Sequence, residues 1–344
     1  MARLKDLRCV CSFSAVGEEG RVVAVEANYC RVHLASPGPE GQDQLLCTAR
    51  TRLAKGGQGI CVGDWVEVES IDWVQQRGAV AHRGSRSNLL PRPAVANVGR
   101  VVVVVSLKEP EPDPMQITRF LVSAEHLNLP VDLVLSKADG LAPGWLEAWC
   151  EQLADWGYTP LPVSTQTGLG LEALALHLAR PGISVLCGPS GVGKSSLLNA
   201  LVPGLALRVA PVSGRLQRGR HTTRHVELVP LPSHPDALLA DTPGFNRPAL
   251  PATPSELGRC FPELRARAHQ PCRFADCRHS GESGCAIGED WPRHALYRQC
   301  LAEVETAAAP VRSGRFGETA LRQASRRRRH LQRRGEISPL DPED

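Results

Sequence analysis

Aromatic residues are scarce: Phe, Trp and Tyr make up only 4% of the 344 residues. A protein that holds single strands of nucleic acid by stacking successive bases needs a row of such side chains, and the composition gives no sign of one. Long apolar runs are missing as well. No stretch approaches the roughly 18 residues that a bilayer-spanning helix needs, so no membrane span is expected. The start, MARLKDLRCV, has neither a long apolar core nor a small-residue cleavage site, and no secretory signal is expected from it. A strong excess of one charge is also lacking. The formal net charge of +4 is too mild to indicate a polyanionic partner by itself. With no export feature, the twelve cysteines are expected as reduced thiols, some of them metal ligands, and not as a disulfide framework. The compartment this implies is the cytoplasm.

Hydrophobic residues make up 42% of the chain, enough for a folded protein of two or three domains. Short apolar runs at Arg21–Ala27, Cys30–Leu34, Gln44–Cys47 and Asp64–Glu69 are broken by Gly, Pro and polar clusters. This spacing predicts a small all-β domain, a barrel or a sandwich. The basic, turn-rich stretch Gly78–Pro93 reads as a linker. From Arg100 the pattern changes. Val101–Val105, Val131–Leu135, Thr159–Ser164 and Ile183–Cys187 read as strands, and the segments between them (Met115–Leu129, Leu141–Trp156, Leu169–Leu178) as helices. Strands alternating with helices predict a parallel sheet covered on both faces. Beyond Pro254 the pattern is irregular until a helix over Trp291–Ala309, and the tail carries Arg326–Arg329 before an acidic end.

The strongest chemical signal is Gly188-Pro189-Ser190-Gly191-Val192-Gly193-Lys194-Ser195, followed by Ser196. It fits the phosphate-loop pattern and lies between a predicted strand and a predicted helix, as that pattern requires. Glycines let backbone N–H groups turn inward around phosphates, Lys194 reaches the β- and γ-phosphates, and Ser195 suits Mg²⁺. Downstream, Asp241-Thr-Pro-Gly244 follows the apolar run Ala237–Ala240. There Asp241 can hold Mg²⁺ through water and Gly244 can offer its N–H to a γ-phosphate. Ser136-Lys137-Ala138-Asp139 follows the strand Val131–Leu135. A carboxylate at Asp139 can accept from both N1–H and the 2-amino group of guanine, donors that adenine lacks. Ser164-Thr165, at the next strand end, can contact the guanine O6. Finally, Cys272-x4-Cys277-x-His279-x5-Cys285 brings three thiolates and one imidazole together, a set that suits a closed, structural tetrahedral Zn²⁺.

The base-recognition pieces precede the phosphate loop, the reverse of the usual GTPase order. A β-rich N-terminal region, a permuted GTPase and the Cys/Cys/His/Cys spacing together resemble the ribosome small subunit-dependent GTPase A family, over nearly the whole chain. That resemblance implies an α/β fold: a circularly permuted P-loop GTPase domain with an N-terminal OB-fold barrel and a C-terminal zinc-binding, mostly helical domain. It places the barrel and linker at 1–90, the GTPase domain at 91–250, the zinc-binding domain at 251–310 and an Arg-rich tail at 311–344. It implies a monomer that hydrolyses GTP to GDP and phosphate late in assembly of the small ribosomal subunit, stimulated by that subunit and coupled to release from it. Its partners would be the subunit, its rRNA and other assembly factors, and its cofactors Mg²⁺ with GTP and one structural Zn²⁺.

Two departures stand out. Where the family has Asn or Thr, this chain has Ser136, which keeps a hydroxyl and loses an amide. Where many GTPases place a water-orienting Gln after D-x-x-G, this chain has Phe245. The segment Gly219–Arg224 resembles the family's first switch. The resemblance makes His221 the catalytic residue and either Thr222 or Thr223 the remaining Mg²⁺ ligand. A loop histidine without catalytic role is the alternative for His221. The Arg-rich stretch Arg322–Arg334 and the basic residues of Arg77–Arg92 read either as RNA-phosphate contacts or as solvated charge. A P-loop ATPase or kinase, and a non-catalytic RNA-binding protein, are the competing readings. Asp139 argues against the first, and the intact Lys194, Ser195 and Asp241 against the second.

Overall fold

A computed structural model describes residues 17–26, 28–50, 53, 59–91, 93–205, 226–232, 234–241, 248–267 and 269–308. The N-terminal region is a closed barrel of five strands: β1 (Glu18–Val25), β2 (Cys30–Leu34), β3 (Gln44–Ala49), β4 (Trp65–Asp72) and β5 (Arg77–Arg83), in the order β1-β2-β3-β5-β4. Only β3 and β5 pair in parallel, and all other neighbours are antiparallel. The core holds Val22, Val32, Leu45, Cys47, Val66, Val68 and Val80, which are almost wholly excluded from water. Burying each valine or leucine contributes about 1.5–3 kcal/mol.

Strand β5 corrects the linker expected at Gly78–Pro93. Its charged residues, Arg77, His82 and Arg83, sit at its ends and hide a short buried segment, Val80-Ala81. Gly78 lies so close to β4 that a Cβ there would stand 2.5 Å from Val68 Cγ1.

The segment between the barrel and the central sheet is a brace. Asp64, fully buried, accepts two hydrogen bonds from the Arg86 guanidinium at 2.7 Å each, and Arg86 also donates to the Gly59 carbonyl. Strands β6 (Leu89–Pro91) and β7 (Ala94–Ala96) form a hairpin. The Asn88 side chain satisfies both the N–H and the carbonyl of Val98, and Ala96 N donates to the Val62 carbonyl at 2.8 Å. Leu90 and Val95 share a buried cluster with Val62 of the barrel side and Ile183 of the central sheet.

The sheet consists of β8 (Val98–Ser106), β9 (Val131–Ser136), β10 (Pro160–Pro162), β11 (Gly182–Cys187), β12 (Leu228–Leu231) and β13 (His234–Asp241), in the order β10-β9-β8-β11-β13-β12. All neighbours are parallel except the edge pair β12–β13. The crossovers are helices α1 (Pro114–Glu125), α2 (Trp145–Asp155) and α3 (Leu171–Leu178), and α4 (Lys194–Leu201) follows β11. Both faces are buried, as parallel sheets require. Along β8, Val101, Val103 and Val105 pack on one face with Phe120 and Leu121 of α1 and Leu153 of α2. Val102 and Val104 pack on the other with Leu174 of α3 and Leu197 and Leu198 of α4. The alternation explains why Val101–Val105 is an uninterrupted apolar run.

The region beyond Pro254 is more regular than its sequence led us to expect. Helix α5 (Pro254–Arg259) starts with a capping box: Thr253 accepts from Glu256 N while the Glu256 carboxylate accepts from Thr253 N. The pattern Thr-Pro-Ser-Glu is its sequence signature. Helices α6 (Pro262–Ala266) and α7 (His294–Ala308) complete the module, whose core is a cluster of Phe261, Trp291 and Tyr297 with ring centroids 5.1–5.8 Å apart. Val122 of α1 belongs to the same cluster.

Arg293 docks this module on the sheet domain. It is fully buried and makes two 2.6 Å bonds to Glu263. Its guanidinium lies over Phe261 at 4.6 Å, Trp156 at 5.0 Å and Tyr158 at 5.6 Å. Removing one member of a buried pair strands the other charge. Arg293→Met should therefore cost about 3–5 kcal/mol in urea denaturation, and the double variant Arg293→Met/Glu263→Leu should regain much of it. A double variant no more stable than Arg293→Met would show that the pair is not what holds the docking.

Candidate active site and metal centre

Parallel strands end on one edge, so the loops after β8, β9, β10 and β11 meet there. The loop after β11 is the phosphate loop. Gly188 has φ 142°, and a Cβ on it would lie 2.2 Å from the Val104 carbonyl, so only glycine lets the loop leave the sheet here. Gly191 and Gly193 also have positive φ, and Gly193 caps α4. Lys194 folds back and donates to the carbonyls of Gly188 and Pro189, each at 2.8 Å. Ser190 is exposed, and Ser195 and Ser196 are half-buried in the first turn of α4, whose N-terminus favours anions. Cys187, immediately before the loop, is fully buried, and burial pushes its thiol pKa well up, so it stays a neutral packing residue.

The loop after β9 is bonded to the phosphate loop. The buried Ser136 hydroxyl lies 2.6 Å from the Val192 carbonyl and 3.1 Å from the Val105 carbonyl. Lys137 (φ 56°) donates to the Gly191 carbonyl at 2.9 Å and to the Glu109 carbonyl. Burial lowers the Lys137 pKa. The motif read as a base contact is thus also a tie between two loops.

Asp139 sits between both neighbouring strand ends. Its Oδ1 accepts from Ser164 Oγ at 2.6 Å and its Oδ2 from Lys108 Nζ at 3.0 Å. The Ser164 bond first, then Lys108, holds its carboxyl below the usual carboxylate range, so it is ionised at neutral pH. The Ser164 hydroxyl in turn accepts from Gln166 N and Thr167 N at 3.2 Å each, which leaves its proton to face Asp139. Lys108 belongs to none of the motifs of the sequence. Its only signal is a position just past the run Val101–Val105.

Asp241 ends β13 directly beside Leu186 of β11, one residue before Cys187 and two before the phosphate loop. The remaining expected switch residues, Gly244 and Phe245 on one side and His221, Thr222 and Thr223 on the other, lie outside the described residues, as does the Arg-rich tail.

The four cysteine and histidine residues of the spaced cluster converge. His279 Nδ1 lies 3.6 Å from Cys272 Sγ, 3.7 Å from Cys277 Sγ and 3.6 Å from Cys285 Sγ, and the Cys272 and Cys285 sulfurs are 3.9 Å apart. Metal–ligand bonds of about 2.3 Å to sulfur and 2.0 Å to nitrogen give tetrahedral edges of about 3.8 and 3.5 Å, so the donor set fits one zinc ion. Outer contacts fix the loop. The Glu282 carboxylate accepts from Arg278 N and Ser280 N, on either side of His279, and Ala286 N points at Cys272 Sγ. Tyr297 of α7 donates to the Arg278 carbonyl, which joins the metal loop to the helix that Arg293 immediately precedes. Cys260 and Cys300 lie apart, buried in the module core.

Known proteins share this architecture. The model of the RsgA GTPase family matches residues 83–251. A small ribosomal subunit biogenesis GTPase RsgA of Synechococcus sp. (strain CC9605) is 53% identical over 297 residues, covering 86% of this chain and 97% of the relative. A protein of the same name from Thermosynechococcus vestitus is 48% identical over 291 residues, 84% of this chain and 82% of the relative. The crystal structure of YjeQ from Thermotoga maritima superposes with a TM-score of 0.70 at 31% identity, over 84% of this chain and 99% of that one. That of YloQ, a circularly permuted GTPase, gives 0.67 at 26% identity, over 86% and 98%. No helix among the described residues is long and apolar enough to cross a membrane. The order of motifs, the sheet that reunites them and these relatives agree, and the chain belongs to the RsgA GTPase family, a family of GTP-hydrolysing enzymes.

Proposed function

We propose that this chain hydrolyses GTP to GDP and phosphate while bound to the small ribosomal subunit, in the biogenesis of that subunit, and that hydrolysis is coupled to its release. The observation that carries the reading is the tie between base loop and phosphate loop. Ser136 and Lys137 bond the carbonyls of Val192 and Gly191, so the carboxylate suited to guanine and the cradle suited to phosphates are one rigid site. An ATPase or kinase has no need of Asp139 braced at this strand end. The division of labour follows the sequence: barrel and brace over 1–90, GTPase over 91–250, metal module over 251–310 and basic tail over 311–344.

Guanine is read by Asp139, with Ser164 and Lys137 flanking it. Gly188, Pro189, Ser190, Gly191, Val192 and Gly193 wrap the phosphates with backbone N–H groups, and Lys194, Ser195 and Ser196 close the cradle. Ser195, Asp241 and Thr223 (or Thr222) would hold Mg²⁺, which when bound neutralises the charge of the β- and γ-phosphates. Gly244 would donate its N–H to the γ-phosphate. His221 would orient the attacking water in place of the glutamine that Phe245 replaces. Cys272, Cys277, His279 and Cys285 would hold zinc as a structural ion, since four protein ligands leave no open position.

Phosphate chemistry tests this reading directly. Multiple-turnover hydrolysis should be measured with and without small subunits. Lys194→Ala should lower the stimulated rate by at least about 100-fold, the usual cost of a lost transition-state charge contact, with the protein still folded by circular dichroism. Full turnover in that variant would place the chemistry elsewhere.

His221→Ala should keep GTP affinity within about twofold and lose most subunit-stimulated turnover, because it removes water positioning and not binding. Normal stimulated turnover would make it an ordinary loop histidine.

Cys277→Ser should lower bound zinc, read by elemental analysis of the purified protein, from one equivalent toward zero. It should also lower the melting temperature of the C-terminal module, while GTP affinity largely survives. One full equivalent of zinc in the variant would refute the ligand assignment.

A further inference from the structure

The carboxylate of Asp139 is held by groups from both adjoining strands. Strand β9 lies between β10 and β8 in the sheet. Ser164, just past β10, donates to one oxygen at 2.6 Å, and Lys108, just past β8, donates to the other at 3.0 Å. The Ser164 proton has nowhere else to go, because its hydroxyl already accepts two backbone N–H groups. Each carboxylate oxygen has two lone-pair directions. A partner on each oxygen therefore fixes the plane of the carboxylate, and acceptor directions remain for a base. Guanine presents two parallel donors, N1–H and the 2-amino group, and that pair needs two acceptors in one plane. A carboxylate free to rotate about its χ2 would offer that arrangement only part of the time, and fixing it in advance removes the ordering cost from binding.

We propose that Lys108 is a positioning residue for guanine: with Ser164 it clamps the Asp139 carboxylate in the plane that the N1–H/2-amino edge requires. This rests on the assignment of the base site to Asp139. The Lys108 side chain is 37% exposed and that of Asp139 16% exposed, so the ion pair is only partly shielded from water. Its effect on binding is accordingly modest. Its geometric effect is directional. The bond to Oδ2 fixes the oxygen opposite the one Ser164 holds, so Lys108 should matter most for a base that engages both oxygens. Inosine keeps N1–H and lacks the 2-amino group. Lys108 should matter less for it.

The test is a cycle of two changes, one in the protein and one in the base. Affinities for GDP and inosine diphosphate are measured by calorimetry on the full chain with Mg²⁺, for the wild type, Lys108→Met and Lys108→Arg. Lys108→Met should weaken GDP by about fivefold, the upper range for a part-exposed ion pair, and inosine diphosphate by less than twofold. The preference for guanine over inosine then shrinks. Lys108→Arg, which keeps the charge and the donor, should restore most of it. Equal losses for both bases, or no loss for GDP, would overturn the proposal. So would failure of Lys108→Arg to recover the preference while melting at the wild-type temperature. Asp139→Asn and an adenosine diphosphate control separate the underlying assignment from this one. If the wild type does not prefer GDP to ADP, or Asp139→Asn binds GDP normally, the base site itself is misplaced.

Discussion

The parallel pairing of β8 with β11 is the constraint on which the rest of the molecule depends. Val101, Val102 and Val103 of β8 lie beside Val185, Leu186 and Cys187 of β11. This seam joins the half of the sheet that was made first in the chain, β8 to β10, to the half made last, β11 to β13. A sheet has no memory of chain order: parallel strands side by side end at the same edge whatever sequence distance separates them. Moving the base-recognition half to the front of the chain therefore leaves the geometry of the site intact, provided the seam forms. Its residues are accordingly almost wholly buried, packed by helices on both faces. The ties across the seam above it, from Ser136 to Val192 and from Lys137 to Gly191, then bind the two loops that chemistry needs together.

Permutation also decides where the appended modules attach. The chain enters the sheet at β8, after the barrel and the β6–β7 hairpin, and leaves it after β13, toward the metal-binding module. Neither attachment is a loose tether. The first is held by the buried Asp64–Arg86 pair and by the Asn88 side chain, which bonds Val98 as a backbone partner would. The second returns to the opposite half of the sheet, where Arg293 lies over Trp156 and Tyr158, near the end of α2. Arg265 and Tyr158 both donate to the Glu125 carboxylate at the end of α1, which adds a polar rim to that apolar contact. The module is thus covalently next to the switch half and packed against the base-recognition half.

Much of this was legible in the sequence because each motif is local. The phosphate loop needs glycines at three positions of special backbone geometry, and three appear. The metal cluster needs four ligand residues in one short loop, and the spacing supplies them. Strand β8 is buried on both faces and so reads as a continuous valine run. What escaped notice depends on contacts between distant segments. Strand β5 is recognisable only through its pairing with β3 and β4, since its own residues are mostly basic or small. Lys108 gains its meaning from Asp139, and Arg293 from Glu263 and three aromatic rings, none of which is its neighbour in sequence. Helix α5 is the exception: its capping box, Thr253 to Glu256, was there to be read.

Serine at position 136 follows from the same inter-loop geometry. An amide there could donate two protons, and a hydroxyl has one. In this chain two carbonyls, of Val192 and Val105, lie within 3.1 Å of the Ser136 oxygen, with Val192 at 2.6 Å the closer. A single proton satisfies the nearer acceptor and gives up the second. Val105 is the last apolar residue of a strand whose carbonyls are otherwise engaged with β9 and β11, so the lost bond falls on a position the sheet already holds. The bond that is kept is the one between the loops. Lys137 adds a second tie to the same loop, one residue away, and offsets the donor that serine lacks. Serine here therefore favours the bond that ties the base loop to the phosphate loop over the one to Val105 of β8.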